Sequence, residues 1–162
     1  MDPCYFDYSK SKDAVSIFIK DHVVLPAGAG VYAMPVSDRN DRYKQLADLY
    51  DFHFIFSDNV PSVDFYAVPY LSIFAYDSSG GMFASVGALA DFESDAKIAY
   101  ISPDRTVFLA ADNGRAFILN LPSWKENLRL YSGAELFSDL EHAKEKYQFL
   151  DIEQLQKKRD SI

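Results

Sequence analysis

Apolar residues change their period several times along this chain, and each change predicts an element. From Ser11 to His22, Ala14, Val15, Phe18 and Ile19 recur at offsets of three and four, the spacing of one helix face, and Pro26 ends the pattern downstream. The loop Ala27-Gly28-Ala29-Gly30 then leads into a short strand, Val31-Tyr32-Ala33-Met34, closed by Pro35. Asp41 to Tyr50 returns to the helical period, with Tyr43, Leu46, Ala47 and Tyr50 on one face. Phe52-His53-Phe54-Ile55-Phe56 reads as a strand whose aromatics straddle a half-buried sheet.

The middle of the chain alternates as hairpins do. Phe65 to Val68 is one strand; Leu71-Ser72-Ile73-Phe74-Ala75-Tyr76 and Met82-Phe83-Ala84-Ser85-Val86 flank the turn Asp77-Ser78-Ser79-Gly80-Gly81. Ile98 to Ile101 and Thr106 to Ala110 flank Ser102-Pro103-Asp104-Arg105, where proline suits the second turn position because its φ is already set. After Asp112-Asn113-Gly114 the pattern turns helical, with Ala116, Phe117 and Leu121 on one face before Pro122, and Trp124, Leu128 and Tyr131 in a continuation. Ala134 to Phe149 carries Leu136, Leu140, Ala143 and Tyr147 at helical offsets, and Ile152 to Arg159 is amphipathic. The expectation is one α+β domain over residues 1–162. Its sheet is mostly antiparallel and built of hairpins within about 65–121, flanked by N-terminal helices and by C-terminal helices over about 123–160.

Composition narrows the class. With 49% apolar residues in 162, including 13 Phe and 11 Tyr, the chain has ample surface for a core. No apolar run approaches the roughly 20 residues that span a bilayer, and Met1-Asp2-Pro3-Cys4 lacks a basic, apolar leader. The single cysteine excludes an intramolecular disulfide. A soluble, cytoplasmic protein is expected.

The formal net charge is −8, from 24 acidic and 16 basic residues. Binding to phosphate backbones or anionic membranes calls for the opposite sign, so neither nucleic acid nor membrane is an expected partner. Asp41, Asp48, Asp51, Asp58, Asp64, Asp77, Asp91, Glu93 and Asp95 face only Arg42, Lys44 and Lys97 in the same stretch, whereas the tail from Lys125 is nearly balanced. The excess serves solubility, or it forms a face for a basic partner.

Catalytic signatures are scarce. There is no Gly-x-Ser-x-Gly elbow, and Cys4 falls in what reads as a mobile N-terminal arm. His22, His53 and His142 lie far apart, without the paired spacing of zinc sites. Asp91-Phe92-Glu93-Ser94-Asp95 sets acids at alternate positions, about 7 Å apart along a strand, while oxygens around one Mg²⁺ each lie about 2.1 Å from the ion. A solvated edge protected by like charge, an acidic contact surface and a cation cluster stay open for it. The glycines of Gly28–Gly30 and Gly80–Gly81 lack the Lys-Ser/Thr of a phosphate loop and suit turns. Trp124 reads as core. No metal, cofactor or catalytic residue is expected.

The stretch Val68-Pro69-Tyr70-Leu71-Ser72-Ile73-Phe74-Ala75-Tyr76-Asp77-Ser78-Ser79-Gly80-Gly81-Met82-Phe83-Ala84 resembles the core of the SUKH superfamily. Asp91 to Ile101, Val107 to Asp112 and Ala116-Phe117-Ile118 follow that family's order of strand, turn, strand and helix start. The resemblance covers roughly residues 65–121. The superfamily includes fungal cell-wall assembly regulators and many bacterial immunity proteins of polymorphic toxin systems, so the resemblance implies a non-enzymatic protein-binding domain. An immunity protein that neutralises a nuclease-type toxin would meet a basic surface, in keeping with the charge of this chain. The contact face expected on that basis is Asp77, Asp91, Glu93 and Asp95, with Tyr76 and Tyr100 as aromatic anchors. The alternatives are a regulatory or scaffold protein of the same superfamily and a small carboxylate-based metal-dependent hydrolase.

Overall fold

The chain opens with strands where its spacing predicts a helix. In the computed structural model, which describes residues 4–8, 17–19, 22–87 and 95–149, β1 (Cys4–Asp7), β2 (Ile17–Ile19) and β3 (His22–Ala27) form a small sheet. β3 lies at its centre, parallel to β1 and antiparallel to β2, with Ile17 opposite Val24 and Ile19 opposite His22. The expected helix over Ser11 to His22 is therefore corrected at its C-terminal part; residues 11–16 lie outside the described residues. The residue types here favour strands, and cross-strand pairing outweighs the helical offsets. Cys4 is 2% exposed in β1, so it does not sit in a mobile arm. Burial pushes its thiol pKa up, which favours the inert protonated form.

Gly28, at φ +119, bends the chain into β4 (Ala29–Val31). α1 (Asp41–Tyr50) has the predicted bounds: the Asn40 side chain accepts hydrogen bonds from the amides of Arg42 and Tyr43 at its start. β5 (His53–Phe54), β6 (Tyr66–Val68), β7 (Leu71–Tyr76), β8 (Met82–Val86), β9 (Ile98–Ile101) and β10 (Val107–Ala111) follow. α2 (Gly114–Leu119), capped by Asn113, runs into a 3₁₀ segment, Leu121–Asn127, and then β11 (Arg129–Leu130). The continuation expected from Trp124 to Tyr131 is thus a tighter turn followed by a strand. β12 (Glu135–Phe137) and α3 (Leu140–Lys146) close the described chain.

The helix expected over Ala134 to Phe149 is half correct. Glu135, Leu136 and Phe137 pair with Val68, Ala67 and Tyr66 instead, and the helix starts only after Asp139, whose carboxylate accepts from the His142 amide. Residues 152–159 lie outside the described residues.

The fold is α+β, as predicted. Its main sheet runs β11-β10-β9-β8-β7-β4, antiparallel except for the parallel β4–β7 pair, and β5 lies antiparallel beside the second half of β7. On one face Phe52, Phe74, Phe83, Tyr100, Phe117 and Trp124 pack under the helices. The other face carries Ile55, Leu71, Ile73, Met82, Ala84 and Ile101. Phe74 is an extra residue: Ile73 pairs with Ala84 and Ala75 already with Phe83, so the β-bulge turns both Phe74 and Ala75 toward the helix side. A third cluster joins Tyr5, Ala27 and Val68 to Ala143 of α3.

Candidate functional site

The turn between β7 and β8 is built around Asp77. Its carboxylate accepts from the Ser79 amide at 3.0 Å, the Ser79 hydroxyl at 2.7 Å and the Gly81 amide at 2.8 Å, while the Tyr100 hydroxyl donates to its other oxygen. An aspartate that caps its own turn in this way replaces backbone partners that the reversal leaves over. The two glycines serve different ends. Gly80 has φ +99, a left-handed conformation, whereas a Cβ on Gly81 would collide with the Tyr100 hydroxyl. Burial, reinforced by the neighbouring Asp77 carboxylate, pushes the Tyr100 pKa up to about 12.

A second carboxylate lies beside this turn. Asp51 ends α1 in the left-handed conformation, at φ 54. It accepts from the Ser78 hydroxyl at 2.7 Å and the Ser78 amide at 3.0 Å, and its Oδ1 lies 3.0 Å from His53 Nε2. Desolvation alone would raise its pKa; the hydrogen bonds from Ser78 and His53 outweigh that and hold the carboxyl below its ordinary value. An ionised carboxylate only accepts, so Nε2 carries the proton of the shared bond. Serine, histidine and aspartate are thus adjacent, but in the wrong order for nucleophilic attack. Ser78 donates to the carboxylate rather than to the imidazole, so the group pins a turn to a helix end and activates no hydroxyl.

Two concavities flank α1. The first, of about 470 Å³, lies between α1, β5 and the end of β7, and is lined by Arg39, Lys44, His53, Phe54, Phe56 and Tyr76 among others. His53 and Tyr76 are opposite one another across β5 and β7, and their rings stack at 5.0 Å and 10°. Tyr43 meets Phe54 and Phe56 edge-on at 5.3 and 5.5 Å. The Arg39 guanidinium lies 4.6 Å from the Phe56 ring centre and bonds Asp58. The second concavity, of about 510 Å³, is an apolar groove between α1 and α2, lined by Tyr43, Leu46, Tyr50, Ile118, Leu119 and Pro122 among others. α2 buries Phe117, so the two residues after it turn outward, with Leu119 82% exposed.

Of the residues expected to form one acidic face, Asp77 and Tyr100 do not reach the surface. Asp77 and Tyr100 are brought together, but as an internal pair, 5% and 6% exposed. That corrects their assignment to a contact surface: the turn and the Tyr100 hydroxyl consume the carboxylate. Tyr76 is half-buried beneath His53. Asp95 is fully in solvent, 3.7 Å from Arg115. Asp91 and Glu93 lie outside the described residues. Elsewhere in the acid-rich stretch Asp58 pairs with Arg39 and Asp64 with Arg105. Among the described residues no three His, Cys, Asp or Glu side chains are grouped to hold a metal, and no helix is long and apolar enough to cross a membrane.

Sequence reasoning missed Ile118 and Leu119, whose signal is an apolar pair lying off the face set by Phe117. It also missed Arg39 altogether, and it read Lys44 and Asp51 only as part of the charge balance. No protein-family model, curated protein or solved structure matches this chain.

Proposed function

We propose that the chain is a non-enzymatic protein-binding domain that occludes a partner with a basic surface, in the manner of an immunity protein neutralising a nuclease-type toxin. The observation that carries this reading is the apolar groove between α1 and α2, with Leu119 82% and Ile118 41% exposed at its lip. Apolar side chains gathered at a concave surface, with a packed aromatic core beneath them, are what a partner's anchor residues require. The charge of −8 favours a partner of opposite sign and would speed encounter at low salt. The resemblance of residues 65–121 to the SUKH superfamily supplies the toxin context. Asp91, Glu93 and Asp95 remain the proposed acidic contacts, while Asp77 and Tyr100 leave the contact set.

The test is co-expression with the protein encoded by the adjacent gene, followed by pull-down at low and high salt. The expected result is a complex that forms more slowly in high salt and is weakened at least about tenfold by Leu119→Asp, with no change in melting temperature. Absence of a complex at both salt concentrations, or full affinity of Leu119→Asp, overturns the proposal.

A further inference from the structure

We propose that the cleft between α1, β5 and β7 is a small-molecule site for a planar aromatic ring bearing one anionic group, the chemical class of a nucleoside monophosphate. Its volume of about 470 Å³ lies within the roughly 300–1,000 Å³ usual for such sites. The wall is aromatic: Phe54 and Tyr43 meet edge-on, and His53 is held flat by two independent constraints, its stack on Tyr76 and its bond to Asp51. A ring fixed in this way offers a stacking surface without a further loss of side-chain freedom on binding.

Arg39 and Lys44 line the same cleft. Lys44 is exposed, and Arg39 bonds Asp58 through a surface pair whose side chains are 45% and 46% exposed. Exposed pairs of this kind contribute little, so an incoming anion can take over the guanidinium at small cost. The first amides of α1 do not compete for that role, because Asn40 already accepts from Arg42 and Tyr43. Asp41 lines the same cleft and Asp58 stands beside Arg39, so anionic groups beyond the one held by Arg39 and Lys44 meet like charge.

The cleft adjoins the apolar groove, sharing Asn40, Tyr43 and Phe54 with it, so it is tested on the chain alone, with no protein partner present. Its test is a titration of the full chain with adenosine monophosphate, adenosine and inorganic phosphate, following the imidazole resonances of His53 by NMR. The expected result is saturable binding of the monophosphate, with adenosine and phosphate each at least about tenfold weaker. The exposed-site variant Lys44→Glu, and Arg39→Ala with it, should weaken the monophosphate at least about tenfold while the melting temperature stays unchanged. No His53 shift up to about 10 mM ligand, equal binding by phosphate alone, or undiminished affinity in Lys44→Glu overturns it.

Discussion

The two faces of the main sheet are packed with different materials, and the difference separates where the molecule is directional from where it is only filled. Under the helices the contacts are ring against ring: Phe83 meets Phe52 at 4.9 Å and 73°, Trp124 at 4.8 Å and 79°, and Phe117 at 5.6 Å. Trp124 also donates its indole N–H to the Tyr50 carbonyl at 2.7 Å, tying the 3₁₀ segment to the end of α1. Edge-on rings have an electrostatic preference for angle as well as for distance. On the opposite face Ile55, Leu71, Ile73, Met82 and Ile101 lie under extended chain from β6, β12 and their flanks. Aliphatic packing there is close but carries no such angular preference. The apolar groove proposed to take a partner therefore lies over the directional half.

This contrast is sharpest at Phe83 and Ile73, both 0% exposed. Phe83→Ala should lose about 3–5 kcal/mol, because four ring contacts disappear and the helices cannot close over the gap, while Ile73→Val should lose only about 0.5–1.5. Urea unfolding of both variants checks the difference, and equal losses would break the comparison. Next in size is Asp77→Ala, which leaves the Gly81 amide and the Tyr100 hydroxyl without their buried acceptor and should cost at least about 2 kcal/mol by the same measurement. Asn113→Ala removes the cap of α2, where the side chain accepts from the Ala116 amide at 2.8 Å, and should cost about 1 kcal/mol.

The effects of pH act in opposite directions at the two carboxylate clusters. Tyr100 has a folded pKa raised from 10.0 to about 12, so its contribution is complete below 10 and is lost as pH rises through the folded value. Tyr100→Phe should flatten that alkaline loss. The Asp51 carboxyl is held below its ordinary value by Ser78 and His53, so its contribution is complete above that ordinary value and fades as pH falls through the folded pKa. Asp51→Asn should flatten the acid limb. Melting temperature against pH for the two variants checks both signs.

Much of this architecture was legible in the residues. The hairpins around Asp77 to Gly81 and Ser102 to Arg105 stand where turn chemistry puts them, and α1 keeps its predicted bounds because helical spacing and the Asn40 cap agree. Failures came where two signals conflicted. Glu135 to Phe137 has helical offsets, but the distant β6 competes for it, and long-range pairing does not register in a local window; Ile17 to Ile19 pairs instead with the adjoining His22 to Val24, a local hairpin that the helical offsets mask. The bulge at Phe74 is likewise invisible to strict alternation. At the candidate site the polarity of Asp77 was plain while its direction was not, since an aspartate after a strand reads the same whether it faces a partner or caps its own turn. The Asp-Ser-Ser-Gly-Gly run held the hint, for each of Ser79 and Gly81 supplies a donor.

The two lateral borders of the main sheet have a consequence for how the molecule behaves in company. Along one border β7 is covered by two abbreviated partners of opposite sense, three residues of β4 and two of β5. At the other border stand the two residues of β11, one of them Arg129. A neighbouring polypeptide seeking a template for further strands finds each rim interrupted after a rung or two, and at one of them a guanidinium. Such a sheet resists growing into fibrils without needing a helix to shield its margins.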